Sequence, residues 1–172
     1  MKKLLAAIIA TSSLAAFADG SNLYVGVGAG AGWNNVQAPS ATFRLDGGYN
    51  FDDNFAFEVG TTGLTQSGSN PNMGMQYYDA SIKGTLPLGD MLGLFVQLGG
   101  AYGTPGVGTA NTITGMPNQG YAQAGWNFLS GGGVQMNLTK QVSLNITDIY
   151  YYGAPNPQGN TNVLLGGVKY NF

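Results

Sequence analysis

The chain contains no histidine and no cysteine. Imidazole ligands, thiolate nucleophiles and disulfides are therefore excluded, and acid–base chemistry would rest on eight Asp and Glu and six Lys and Arg residues. Asp46 with Asp79, or Asp46 with Glu58, could be drawn as a carboxylate pair in which one group gives a proton and the other takes it. The same inward phase of the chain also carries Arg44, Lys83 and Lys169, so three anions meet three cations and the set sums to zero. Charges buried in equal numbers are an ionic plug before they are a catalytic centre. No catalytic residue, cofactor or metal is expected. The run "GVGAGAG" at 26–32 does not open a helix, so it is no dinucleotide loop. The tripeptides "NLT" and "NIT" match a glycosylation pattern, but they fall in a turn and a strand, which gives them no force.

The elements that must hold these charges follow from a period of two. In "LYVGVGAGAGW", Leu23, Val25, Val27, Ala29, Ala31 and Trp33 take one face, and Tyr24 and the glycines 26, 28, 30 and 32 take the other. "FRLDGGYNF" sends Phe43, Leu45, Gly47, Tyr49 and Phe51 outward and Arg44, Asp46, Gly48 and Asn50 inward. "FAFEVG" opposes Phe55, Phe57 and Val59 to Glu58. Further strands are expected over about 76–86, 92–102, 122–137, 142–152 and 162–172, which makes eight. Short turns fall at 52–54, 87–91 and 137–141, and long polar loops at 34–40, 65–75, 103–120 and 153–160.

Lys2 and Lys3 before the apolar run Leu4–Leu14, with small residues at Ala16 and Ala18, read as a secretory signal peptide over residues 1–18. The run is too short to span a bilayer as a helix. Without Lys2 and Lys3, four basic residues stand against eight acidic ones, a net charge of −4, and nucleic acid is an unfavourable partner for such a chain. With 29 Gly, 18 Tyr and Phe and only 8% charged residues, the composition does not suit a surface solvated by water. A chain that meets lipid without a helical span must close into a barrel. Residues 19–172 are therefore expected to form an all-β domain, an eight-stranded antiparallel up-and-down transmembrane β-barrel in outer-membrane lipid. Two aromatic girdles support this. Tyr49, Phe51, Phe55, Phe57, Tyr170 and Phe172 fall at the end with short turns, and Trp33, Phe43, Tyr78, Tyr102, Trp126, Phe128, Tyr150 and Tyr152 fall at the end with long loops.

The stretches "FEVG" at 57–60, "QLGGAY" at 97–102, "GGGVQMNLT" at 131–139 and "LLGGVKYNF" at 164–172 resemble the OmpA/OmpX-type eight-stranded outer-membrane barrels, and the likeness runs along the whole of 19–172. It implies the transmembrane barrel only, without the peptidoglycan-binding domain of OmpA proper. It further implies that Gly166, Val168, Tyr170 and Phe172 form the signal read by the barrel-assembly machinery, after escort by periplasmic chaperones. It also implies that Glu58 and Lys83 belong to a central salt-bridge network. That network is expected in two tiers, Glu58 with Lys83 and nearby Lys169 below, and Arg44, Asp46 and Asp79 above. The inward glycines could leave room for water, so a narrow gated channel stands beside the plug. Loops without a single Lys, Arg, Asp or Glu leave hydrogen bonding, not charge steering, for a host-surface or phage ligand. The resemblance allows adhesion, phage reception or complement resistance, and a monomer is expected. Asp148 fits badly, because alternation with Ile146 and Tyr150 would face it toward lipid. A β-bulge that turns it inward, or a place near the loop-end girdle, would accommodate it.

Overall fold

A computed structural model describes residues 22–34, 37–65, 75–105, 124–153 and 160–172. The strands are β1 (Leu23–Asn34), β2 (Gln37–Asn50), β3 (Phe55–Leu64), β4 (Met75–Leu88), β5 (Leu92–Pro105), β6 (Gly125–Asn137), β7 (Val142–Gly153) and β8 (Thr161–Asn171). They pair in sequence order, and β1 pairs antiparallel with β8 to close the barrel. Closure leaves no free strand edge, the condition for a sheet to survive in hydrocarbon. The 1–18 segment and most of the four loops lie outside the described residues.

The tight turns are built by their own side chains. Asp52 Oδ1 accepts the backbone N–H groups of Asn54 and Phe55, both at 2.8 Å, and Thr139 Oγ1 accepts those of Gln141 and Val142 at 3.1 and 2.9 Å. Gly89, between β4 and β5, has φ of 84°, a conformation glycine takes without strain.

Alternation sorts the side chains as the period of two predicts. Val27, Leu45, Val59, Ile82, Leu98 and Val168 lie exposed on the outer wall. Tyr170 meets Phe172 at 5.1 Å and Tyr49 meets Phe51 at 5.8 Å at the turn end, and Tyr102 meets Trp126 at 5.3 Å at the loop end. One expectation needs correction, and one alternative is decided. Most of the stretch 34–40 is not a loop, because β1 continues to Asn34 and β2 begins at Gln37, with a register shift between Gly32 and Asn34. Of the two places open to Asp148, the structure has the one near the loop-end girdle and no inward bulge. The residue pairs in unbroken register with Gly132 and Leu164 and stays exposed on the outer wall, where the next outward residue toward the loops is Tyr150.

Candidate functional site

The polar groups converge inside the barrel. Arg44, on the inward face of β2, is their hub. Its Nη1 and Nη2 donate to Asp79 Oδ2 and Oδ1 at 2.7 and 2.8 Å, a two-pronged pair. Nη2 also donates to Glu58 Oε1 at 3.1 Å, Nη1 to Thr62 Oγ1 at 2.8 Å, and Nε stands 3.5 Å from Asp46 Oδ1. One planar guanidinium thus serves three carboxylates on β2, β3 and β4. Its fork of five N–H groups permits that, where an ammonium would not hold the same geometry. Glu58 completes its bonding by accepting Tyr24 Oη at 2.8 Å.

Glycines make the space. A Cβ at Gly60 would stand 2.7 Å from Arg44 Cζ, one at Gly26 would meet the Asp46 carboxylate, and one at Gly48 would meet the Tyr24 ring. Further up, a Cβ at Gly32 would meet Leu64, and one at Gly103 would meet the Tyr77 ring. Large neighbours therefore lie over these inward glycines, which could otherwise have left room for water. A cavity of about 20 Å³ remains beside Arg44, Glu58, Lys83 and Gln97, enough for about one water molecule.

The expected tiers are rearranged. Glu58 makes its ion pair with Arg44, and among the described residues no ion pair joins Glu58 to Lys83. Lys83 Nζ instead lies 3.8 Å from the centre of the Phe95 ring, and Lys169 Nζ lies 3.7 Å from that of Tyr24. Arg44, Asp46, Glu58 and Asp79 form one cluster, and the two lysines sit below it, toward the turn end. Below them opens a vestibule of about 780 Å³ lined by Asn50, Lys83, Thr85, Gln135, Lys169 and Asn171, among others.

Above the cluster, toward the loops, lies a tier that the sequence reading missed. Leu64, Met75, Tyr77, Ala101, Leu129, Ile149, Tyr151, Val163 and Leu165 pack as one buried apolar group inside the barrel. Tyr77 and Tyr151 stack at 4.1 Å with rings 7° apart. Tyr151 Oη donates to Thr62 Oγ1 at 2.9 Å, which ties this tier to the ionic one. The available signal was apolar residues on both phases near the strand ends, as in "DIYYYG" and "NVLLGG".

At the other end of interest, Gly166, Val168, Tyr170 and Phe172 follow the outward phase of β8, and the Phe172 N–H donates to Leu23 O at 3.0 Å across the closing seam.

A family model described as outer membrane protein beta-barrel domain matches residues 4–172. Comparison with curated proteins gives no match. Among solved structures, Neisserial surface protein A is similar at 18% identity and a TM-score of 0.67, over 88% of this chain and 98% of that one. Ail, the attachment invasion locus protein of Yersinia pestis, is similar at 13% identity and 0.57, over 88% and 97%. The outer membrane enzyme PagL is similar at 17% identity and 0.57, over 87% and 99%. At such identities the likeness is one of fold.

Proposed function

Because this chain belongs to the outer membrane protein β-barrel family and resides in the bacterial outer membrane, we propose that it is a closed, non-enzymatic barrel that contributes to envelope integrity and displays its loops for adhesion or for contact with host or phage. The observation that carries this reading is the filled lumen. Among the described residues, an ionic cluster around Arg44 and an apolar tier around Tyr77 and Tyr151 stand in series along the lumen. Ail, similar in fold, is named for attachment and invasion, and the loops here offer amide and hydroxyl groups without charge.

Lack of catalysis is part of the proposal. PagL shows that this fold can carry an enzyme. Against that role here, the chain has no histidine to serve as a general base, and the three lumenal carboxylates Asp46, Glu58 and Asp79 are engaged by Arg44. Incubation of the folded barrel with outer-membrane lipids followed by mass spectrometry tests this part, and a lost or gained acyl chain would overturn it. Adhesion is tested by binding of cells that express the protein to host surfaces, with loop-swapped barrels as the comparison. Equal binding by the loop-swapped barrels would remove the loops from the account.

A small gated channel is the second reading, favoured by one feature, the open vestibule that reaches the lysines. Conductance separates the two.

A further inference from the structure

The outer wall has a step at its turn end. β3 begins at Phe55, opposite Gly84, whereas β4 runs on to Leu88 and returns as β5 from Leu92, so the β4–β5 hairpin stands out past the β2–β3 turn. That turn is fastened to the step. The Thr85 N–H donates to Asn54 O at 2.6 Å, and Asn54 Nδ2 donates to Thr85 O at 2.9 Å. On the outward phase, Gly84 lies between Phe55 and Val96 in one row, and Leu86 lies beside Leu94 in the next. The wall has no side chain at Gly84, and a groove of about 510 Å³ runs there along Phe55, Leu86, Leu94 and Val96. These four side chains are apolar and exposed. The short turns of an outer-membrane barrel lie on the periplasmic side, so the groove faces the hydrocarbon of the periplasmic leaflet.

Charge at the end of the groove says which lipid fits it. Asp52 Oδ1 accepts the N–H of Phe55 at 2.8 Å, which places this carboxylate at the backbone of a residue that walls the groove. Asp53 stands next to it in the same turn, and both residues are exposed. Among the described residues neither has a Lys or Arg nitrogen within 4.0 Å. Lys140, the cation of the described turns, belongs to the β6–β7 turn on the opposite side of the ring. Two ionised carboxylates only accept hydrogen bonds. A headgroup that carries an ammonium supplies both the donors and the counter-charge, whereas an anionic headgroup is repelled.

We propose that this groove is a binding site for a phospholipid with a primary ammonium headgroup, one acyl chain lying over Gly84 between Phe55 and Leu94 and the ammonium meeting Asp52 and Asp53. Asn54 Nδ2 spends one N–H on Thr85 O and keeps a second for the lipid phosphate. The apolar groove supplies the attraction common to all phospholipids, and the acidic turn supplies the choice among them.

The experiment uses the wild-type barrel, folded in a non-ionic detergent and offered equal amounts of phosphatidylethanolamine, phosphatidylglycerol and phosphatidylcholine with identical chains. Native mass spectrometry reads which lipid stays bound. Phosphatidylethanolamine is expected to be retained over each of the others by roughly two- to fivefold, the scale of an exposed charge contact. Gly84→Leu fills the groove, and a Cβ there would stand 3.6 Å from Phe55 Cε1 and 3.9 Å from Val96 Cγ2, ordinary contacts that the fold accepts. This variant is expected to lose retention of all three lipids. Asp52→Asn/Asp53→Asn keeps a side-chain oxygen for the Phe55 N–H and is expected to lose the headgroup preference while phosphatidylcholine is retained as before. Should the double variant fail to fold, the wild-type competition decides the headgroup alone. Equal retention of the three lipids, or a preference for phosphatidylglycerol, would overturn the headgroup site. Retention untouched by Gly84→Leu would overturn the groove, and a lipid-free mass of two barrels would assign it to a second copy of the chain instead.

Discussion

At the residue scale, Arg44 decides what the lumen can hold. Its guanidinium satisfies Asp79 twice and Glu58 once and stands beside Asp46, so removing it strands three carboxylates in a buried place. Breaking a buried pair by removing one partner costs about 3–5 kcal/mol, and Arg44→Ala is expected to lower unfolding stability by at least that much. Lys83→Ala loses a contact with the Phe95 ring, worth about 0.5–2 kcal/mol, and no ion pair seen among the described residues. Urea unfolding in the same detergent compares the two, and equal losses would show that Lys83 carries a pairing role this account gives to Arg44. The inward phase of all six charges was legible from alternation alone. Their partnership was not, since alternation gives a face and not a reach. Arg44 meets Asp79 across the whole width of β3, in the lane left by Gly60, and only the strand register puts Asp46, Gly60 and Asp79 in one row.

At the scale of elements, the strands were legible wherever one face meets lipid and the other meets polar groups. The sequence pattern fades at the loop ends, because the lumen there is as apolar as the outer wall. In β7, Ile149 and Tyr151 point inward while Tyr150 and Tyr152 point outward, so both phases read alike. The beginning of β2 reads as a loop for the opposite reason, since Gln37–Ser40 holds no large apolar residue and includes Pro39. Two predictions belong here. Asp148 on β7 faces outward with no bulge, and an acidic group on the lipid face weakens a barrel by an amount that falls toward the interface. Asp148→Leu is therefore expected to raise unfolding stability by about 1 kcal/mol or less. A loss of stability on this change would mean that the carboxylate is held by a partner. On β8, Phe172 donates its N–H to Leu23 across the seam and packs its ring on Tyr170 at the turn-end rim. If its ring is also what the assembly machinery reads, Phe172→Asp keeps the backbone bond and still reduces the heat-modifiable folded band in outer-membrane fractions. Wild-type levels of that band would remove Phe172 from the assembly signal.

At the scale of the whole molecule, the described residues leave a vestibule at the turn end and fill the lumen toward the loop end. From the turn end the order is vestibule, two lysines on aromatic rings, the Arg44 cluster, and the apolar tier stacked on Tyr77 and Tyr151. The last two act in series, so opening either one alone leaves the other in place. Arg44→Ala alone and Tyr77→Ala/Tyr151→Ala are therefore both expected to stay closed, while the three substitutions together open a path. The measurement that bears most directly on the closed-barrel reading is single-channel recording in planar bilayers of the wild-type protein beside these variants, each first shown to be folded by its heat-modifiable band. The account predicts at most rare and small events from the wild type and frequent events from the triple variant. A steady, large wild-type conductance that none of the substitutions changes would contradict it.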